Sequence, residues 1–279
     1  MKTLYITDMD GTLLDNMGNV SKRSAEIISE LTDNGATISV ATARTPATVE
    51  NILAETRTAN DLVLMTGATL WNRPEECFEG MHLLPQADVE LMLGIFRQYG
   101  MHPFCYVMRD KAHLDVYHSA NKLTQAEEAF VYLRRNLRLK TFHLSEPCPI
   151  ESCHRVVLFF GMGPKENIVR VAEHLSQLSD CYISYYKDTY IPDLWFLEIF
   201  APGVSKAAGV AQLKKYLGAD RVVAFGDNLN DIPMLQMADM AVAVENALPE
   251  VKAIAHKVIG PNTDDSVARF IAEDFRNSH

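Results

Sequence analysis

Long hydrophobic runs are missing from this chain: no stretch approaches the roughly 18 consecutive apolar residues of a membrane span. Met1-Lys2 is followed by only a few apolar residues before Asp8 interrupts, so no leader-like segment develops. Positive charge is scarce as well. Lys and Arg number 26 against 36 Asp and Glu, a net charge of −10. This argues against a general nucleic-acid or anionic-membrane binder, which needs a basic footprint. A small anionic ligand stays open, because a local site can oppose the overall sign. The five cysteines (Cys77, Cys105, Cys148, Cys153, Cys181) are odd in number and irregularly spaced, with no Cys-x-x-Cys pair. That disfavours both a disulfide framework and a zinc site, and reads as reduced thiols of a cytoplasmic protein. Low-complexity tracts and repeats are absent too. Nothing in the sequence sets an oligomeric state.

What is present is a globular composition, 48% hydrophobic and 22% charged over 279 residues, enough for one large domain or two modest ones. Apolar, β-branched runs alternate with amphipathic stretches. Strands are expected at Thr3–Thr7, Thr37–Thr42 and Leu62–Thr66. Helices are expected over Ser21–Asn34, with Ser21 as N-cap and Gly35 just past the end, and from about Pro46. The pattern resumes downstream with helices at Lys206–Leu217 and Pro233–Met237 and strands at Arg221–Phe225 and Met240–Val244. Near-continuous apolar strands separated by helices imply an α/β fold, a parallel sheet covered on both faces.

The middle reads differently. Helices are expected at Ala87–Tyr99, Thr124–Leu137 and Lys165–Leu178. Strands are expected at Pro103–Met108, His113–Tyr117 and Arg155–Phe160, with a strand pair around Cys181–Tyr190. Paired short strands between helices suggest an antiparallel α+β module. The expected division is a core of residues 1–80 and 191–279 with an insert over 81–190.

Polar signals gather at the ends of the expected sheet strands. Asp8 and Asp10 follow the first, Thr42 and Arg44 the second, Thr66-Gly67-Ala68 the third, and Asp227, Asn230 and Asp231 a later one. Ligands of open α/β sheets bind outside the carboxyl ends of strands, so these groups are candidates to converge. Four carboxylates in one small site repel each other and call for a hard divalent cation, with Mg²⁺ the expected ion. Thr42, Arg44 and Lys206 do not fit a site built only for a metal. Carboxylates with a metal on one side and donors on the other describe a phosphoryl site, which must neutralise equatorial oxygens and place a nucleophile in line. An aspartate can be that nucleophile, and a second aspartate two residues on can serve as general acid and base.

The stretches "DMDGTL", "ATAR", "SKAAGVAQL" and "GDNLNDIPML" together resemble the four motifs of the haloacid-dehalogenase-like hydrolases, in order and in strand placement. The Cof-type sugar-phosphate phosphatases of that superfamily are the nearest resemblance. It implies Asp8 as nucleophile, Asp10 as general acid/base, Thr42 as donor to the phosphoryl oxygens, and Lys206 steadying nucleophile and phosphate. Asp8, the main-chain carbonyl of Asp10 and Asp227 would hold Mg²⁺, with Asp231 behind the metal or bridged to it by water. Arg44, Gly67 and Asn230 are expected substrate contacts, and the substrate a small phosphorylated metabolite, with sugar phosphates foremost.

Little more than one helix and one strand fits between Asp10 and Thr42, whereas far more chain than the core needs separates Thr42 from Lys206. The insert therefore falls between the second and third motifs, which in the family is the larger type of cap that roofs the site. Three departures from the family pattern stand out: Thr66 where asparagine is common, Ala207 where glycine usually follows the lysine, and Glu245 in place of a glycine. A phosphomutase with the same intermediate and a non-catalytic sugar-phosphate binder remain as alternatives. The aromatic stretch that includes Tyr185, Tyr186, Tyr190 and Trp195 is expected mainly as strand and core, with some rings available to substrate.

Overall fold

The computed structural model describes residues 1–59, 61–188 and 191–278. The chain divides into two compact units, Met1–Glu79 with Ser205–His279, and Gly80–Val204.

In the first unit, the run Thr-Leu-Tyr-Ile-Thr contains no turn former and is buried at every position, forming β1 (Thr3–Thr7). Helix α1 (Lys22–Asp33) starts where the Ser21 hydroxyl accepts a hydrogen bond from the Ser24 N–H at 2.9 Å. There follow β2 (Thr37–Val40), α2 (Pro46–Ile52) with its proline in the first turn, and the strands β3 (Asp61–Leu64), β4 (Thr69–Asn72) and β5 (Cys77–Glu79).

The second unit comprises α3 (Gln86–Gln98), β6 (Phe104–Met108), β7 (Leu114–His118), α4 (Gln125–Tyr132), β8 (Lys140–Leu144), β9 (Val156–Pro164), α5 (Lys165–Ser176), β10 (Tyr182–Lys187) and β11 (Leu194–Phe200). Its sheet runs β10-β11-β9-β6-β7-β8. All pairs are antiparallel except β7–β8, which α4 connects as a crossover. Val89, Met92 and Phe96 of α3 and Ile168, Val171 and Leu175 of α5 close over Phe159 and Leu197, giving this unit its own core.

The chain then returns to the first unit with α6 (Lys206–Leu217), β12 (Arg221–Gly226), α7 (Ile232–Met237), β13 (Met240–Ala243), α8 (Pro249–Ile254), β14 (Lys257–Val258) and α9 (Ser266–Ser278). The sheet β14-β13-β12-β1-β2 is parallel throughout. A parallel bridge from Ala41 to Val63 carries it on to β3, where the antiparallel strands β4 and β5 follow. The α/β class expected for the core is therefore present, beside an inserted unit of mixed α and β.

Several expectations change. The insert ends at Val204 rather than at 190, because β11 is hydrogen-bonded between β9 and β10. The strand pair expected around Cys181–Tyr190 is a single strand, β10, whose partner is β11; Tyr190 lies outside the described residues. The helix expected to reach Leu137 stops at Tyr132. Among the described residues no helix is long and apolar enough to cross a membrane.

Candidate active site

Strand register assembles the site. Thr7, the last residue of β1, lies beside Phe225 of β12 and Val40 of β2. The residues that follow these three strands therefore leave the sheet at one edge. The bonding continues past the strand ends: Asp8 N donates to Phe225 O at 3.0 Å, and Ala41 N to Thr7 O at 2.9 Å. Thr42 N donates to Val63 O at 3.0 Å, and Thr66 N to Thr42 O at 2.9 Å.

After Asp8 the chain makes a tight turn over Met9–Leu13, in which Gly11 takes a φ of +76°. A Cβ at Gly11 would stand 2.5 Å from Asp227 Oδ2, so only glycine lets the turn approach that carboxylate. The Thr12 hydroxyl then donates to Asp227 Oδ1 at 2.8 Å. From the other side the Asn246 side-chain amide donates to Gly11 O at 2.7 Å, and its oxygen accepts from Asn262 N at 3.0 Å.

Lys206 opens α6, directly after the capping Ser205. A cation gains nothing from the dipole at a helix start, and this one is only 2% exposed. Two carboxylates account for it: Lys206 Nζ donates to Asp8 Oδ1 at 2.5 Å and to Asp231 Oδ1 at 2.7 Å. Asp231, fully buried, uses its other oxygen to accept from the backbone N–H groups of Asp227 (3.0 Å) and Asn228 (3.1 Å). Burial disfavours charge on Lys206, but Asp231 and Asp8 outweigh it and hold the ammonium above the ordinary lysine range. Burial and the neighbouring Asp231 push the Asp8 carboxyl well above the usual carboxylate range, with Lys206 opposing. Burial and Asp231 likewise push Asp227 up to about 6, against the Thr12 hydrogen bond and Lys206.

Asp8, Asp227 and Asp231 each bring a carboxylate oxygen within 4.8 Å of the others. One ammonium among three carboxylates leaves negative charge in excess, and the donor set is all hard oxygen, which fits Mg²⁺. The three are not equivalent. Both oxygens of Asp231 are engaged by N–H donors, whereas among the described residues Asp8 Oδ2 and Asp227 Oδ2 receive no hydrogen bond. Direct ligation therefore falls to Asp227 through Oδ2 and to Asp8 through the second lone pair of Oδ1, which leaves Asp8 Oδ2 open, and Asp231 holds Lys206 and the loop after β12 in place.

Asp10 differs from the expectation of a carboxylate turned toward the reacting atoms. It is exposed, and both its oxygens accept from Arg44, Nε at 2.7 Å and Nη2 at 2.6 Å. Arg44, expected as a substrate contact, is here the partner of Asp10. Thr42 is buried, and its hydroxyl accepts from Arg44 N at 3.3 Å.

The turn after β3 holds Met65 and Thr66 at φ of +52° and +59°, where a β-branched residue is strained. The Thr66 hydroxyl is buried with no hydrogen-bond partner. Gly67 packs on the start of α6: a Cβ there would lie 2.1 Å from Ser205 O. Its observed role is close packing beneath Lys206. Asn230 is exposed on the turn that carries Asp231, and among the described residues no hydrogen bond ties it to the other site groups. The side chain of Glu245 is exposed, and Ala207 is half-buried in the first turn of α6. Thr12 and Asn246 escaped sequence reading. The signals available were a hydroxyl two residues past Asp10, and the asparagine directly after the conspicuous Glu245.

The family described as haloacid dehalogenase-like hydrolase matches residues 5–271. A putative phosphatase of Haemophilus influenzae is 26% identical over 281 residues, covering 99% of each chain. The 5-amino-6-(5-phospho-D-ribitylamino)uracil phosphatase of Bacillus subtilis is 25% identical, over 98% of this chain and 97% of that one. In structure, a haloacid dehalogenase-like hydrolase from Bacteroides thetaiotaomicron superposes with a TM-score of 0.82 at 21% identity, covering 99% of this chain and all of the other, a likeness of fold.

Proposed function

Because the chain belongs to the haloacid dehalogenase-like hydrolases, we propose that it is a Mg²⁺-dependent phosphatase of small phosphorylated metabolites. In this reading Asp8 becomes transiently phosphorylated. The observation that carries it is the orientation of Asp8: Lys206 occupies Oδ1 and leaves Oδ2 free of protein donors among the described residues. A carboxylate anchored at one oxygen presents the other as a positioned nucleophile.

Asp8 Oδ2 attacks phosphorus, the ester oxygen leaves, and Asp10 supplies the proton that the leaving alcohol needs. Water, deprotonated by the same Asp10, then displaces Asp8 and releases inorganic phosphate. Arg44 links binding to this step: a phosphoryl dianion competes with Asp10 for the guanidinium and frees the carboxylate for proton transfer. The Thr42 hydroxyl and the Lys206 ammonium donate to the phosphoryl oxygens. Held by Asp8 and Asp227, Mg²⁺ would supply positive charge against the anionic nucleophile and phosphate.

Sugar phosphates and related phosphorylated polyols are the favoured substrates. The name of the Bacillus subtilis relative, a phosphatase of a phosphorylated ribityl compound, supports that choice. The test is phosphate release from a broad panel of phosphorylated metabolites with Mg²⁺. Asp8→Asn is expected to lower turnover by roughly a thousandfold or more, and EDTA to silence the wild type reversibly. Full turnover by Asp8→Asn would overturn the mechanism. Isomerised product without free phosphate would point to a mutase, and sugar-phosphate binding without turnover to a binder.

A further inference from the structure

The segment between β13 and α8 reaches two carriers of the site at once. Ala247 N donates to Val244 O at 3.0 Å, closing a tight turn. From that turn the Asn246 side-chain N–H donates to Gly11 O at 2.7 Å, a partner 235 residues away in the chain. Two residues on, Leu248 N donates to Asp227 O at 2.9 Å. Residues 246–248 therefore grip both the turn Met9–Leu13 and the segment after β12 that carries Asp227. The Thr12 hydroxyl, donating to Asp227 Oδ1 at 2.8 Å, joins the same two segments directly.

A second pair of bonds steadies this grip. Asn246 Oδ1 accepts from Asn262 N at 3.0 Å, and the Asn262 side-chain amide donates to Leu14 O at 2.7 Å. Gly11, inside the turn, and Leu14, just past it, are thus both held. The bonding pattern specifies an amide at position 246: Gly11 O needs a donor, Asn262 N needs an acceptor, and asparagine offers both. Yet Asn246 is exposed. Hydrogen bonds at an exposed side chain add little to stability, because water replaces them when they break. What they do add is position. Gly11 O belongs to the peptide joined to Thr12, so the bond from Asn246 sets where the Thr12 hydroxyl meets Asp227 Oδ1 and which way Asp227 Oδ2 is left to face.

We propose that Asn246 is a positioning residue for the metal: it holds the Gly11–Thr12 peptide so that Asp8 and Asp227 Oδ2 serve one Mg²⁺, and it sets the affinity for that ion without contacting it. The inference rests on the reading of Asp8 and Asp227 as the Mg²⁺ ligands. Groups that orient a metal ligand from behind govern affinity by about 10–100-fold, and no other side chain among the described residues donates to Gly11 O.

The test melts the full chain in EDTA and over a range of Mg²⁺ concentrations, with Asn246→Ala beside wild type. In EDTA the variant should melt within about 4 °C of wild type, since the bonds it loses are at an exposed residue. With Mg²⁺, about tenfold more ion should be needed for the same rise in midpoint. Asn246→Asp keeps the acceptor for Asn262 N and loses the donor to Gly11 O. It too should need more Mg²⁺ than wild type, although its added charge alone would draw the cation in. A lower midpoint in EDTA with wild-type dependence on Mg²⁺ would make Asn246 purely structural and overturn the proposal. A wild-type response to Mg²⁺ from Asn246→Asp would overturn it as well. A wild-type chain whose midpoint does not respond to Mg²⁺ would overturn the underlying reading of the metal site, a failure distinct from that of Asn246.

Discussion

Asp8 and Asp231 share one ammonium, while among the described residues the Asp227 carboxylate has the Thr12 hydroxyl as its hydrogen-bond donor. The cost of that arrangement has a sign. Asp227 titrates at about 6 in the folded chain against 3.8 ordinarily, so the folded state holds the proton more tightly than the unfolded one. Stability of the metal-free protein should therefore rise as pH falls from about 6 to 4, and the penalty is fully present above 6. Asp227→Asn removes the charge and keeps an oxygen for Thr12. It is expected to stabilise the chain in EDTA at pH 8 by about 1–2 kcal/mol, below the limit that a shift of about two units sets. Urea unfolding with and without Mg²⁺ checks this: the variant should gain in EDTA, lose the response to Mg²⁺ and have no turnover. A loss of stability in EDTA would contradict it. The carboxylates and Lys206 were legible in the sequence because each ends a strand or opens a helix inside a motif. The Arg44–Asp10 pair was not: Asp10 reads as a general acid and base and Arg44 as a substrate contact, and nothing in the sequence makes one the partner of the other.

Helix α6 shows how an element aims a residue. Its first turn rests on Gly67, whose φ is +91° and whose missing Cβ would overlap Ser205 O at 2.1 Å. Gly67→Ala must push the helix start away, and Lys206 with it. The expected cost is about 2–4 kcal/mol of stability. Turnover should fall more than the folded fraction does, measurable by comparing kcat per folded molecule with wild type. Unchanged kcat per folded molecule would separate Gly67 from the aim of Lys206. The elements legible beforehand, β1, α1, α6 and β12, have uniform apolar strands or clear caps. Several of the missed ones are short or start with atypical residues. Strand β4 begins directly after a left-handed turn, β5 spans three residues, and β8 opens on Lys140, a charged residue that is nonetheless 4% exposed. Strand formation there comes from pairing with β7, which local propensity does not encode.

At the scale of the molecule, motif spacing placed the insert between the second and third motifs but not where it ends. The run Leu194–Phe200 is apolar enough to pass for a strand of either sheet, and only its pairing with β9 and β10 assigns it to the insert. Each unit has its own sheet and core, so calorimetry of the full chain is expected to resolve two transitions. Mg²⁺ should raise the midpoint of one, the unit that carries Asp8 and Asp227, and leave the other in place. A single transition shifted as a whole would show the units unfolding together. The central position of β1 matters in another setting, the ribosome. Its neighbour β12 follows more than 200 residues later in the chain. At roughly 5–20 residues per second, a buried-to-be apolar strand waits about ten seconds or more for that partner. Through that interval one edge of β1 stays open, and that edge is where the growing chain is exposed to misassociation.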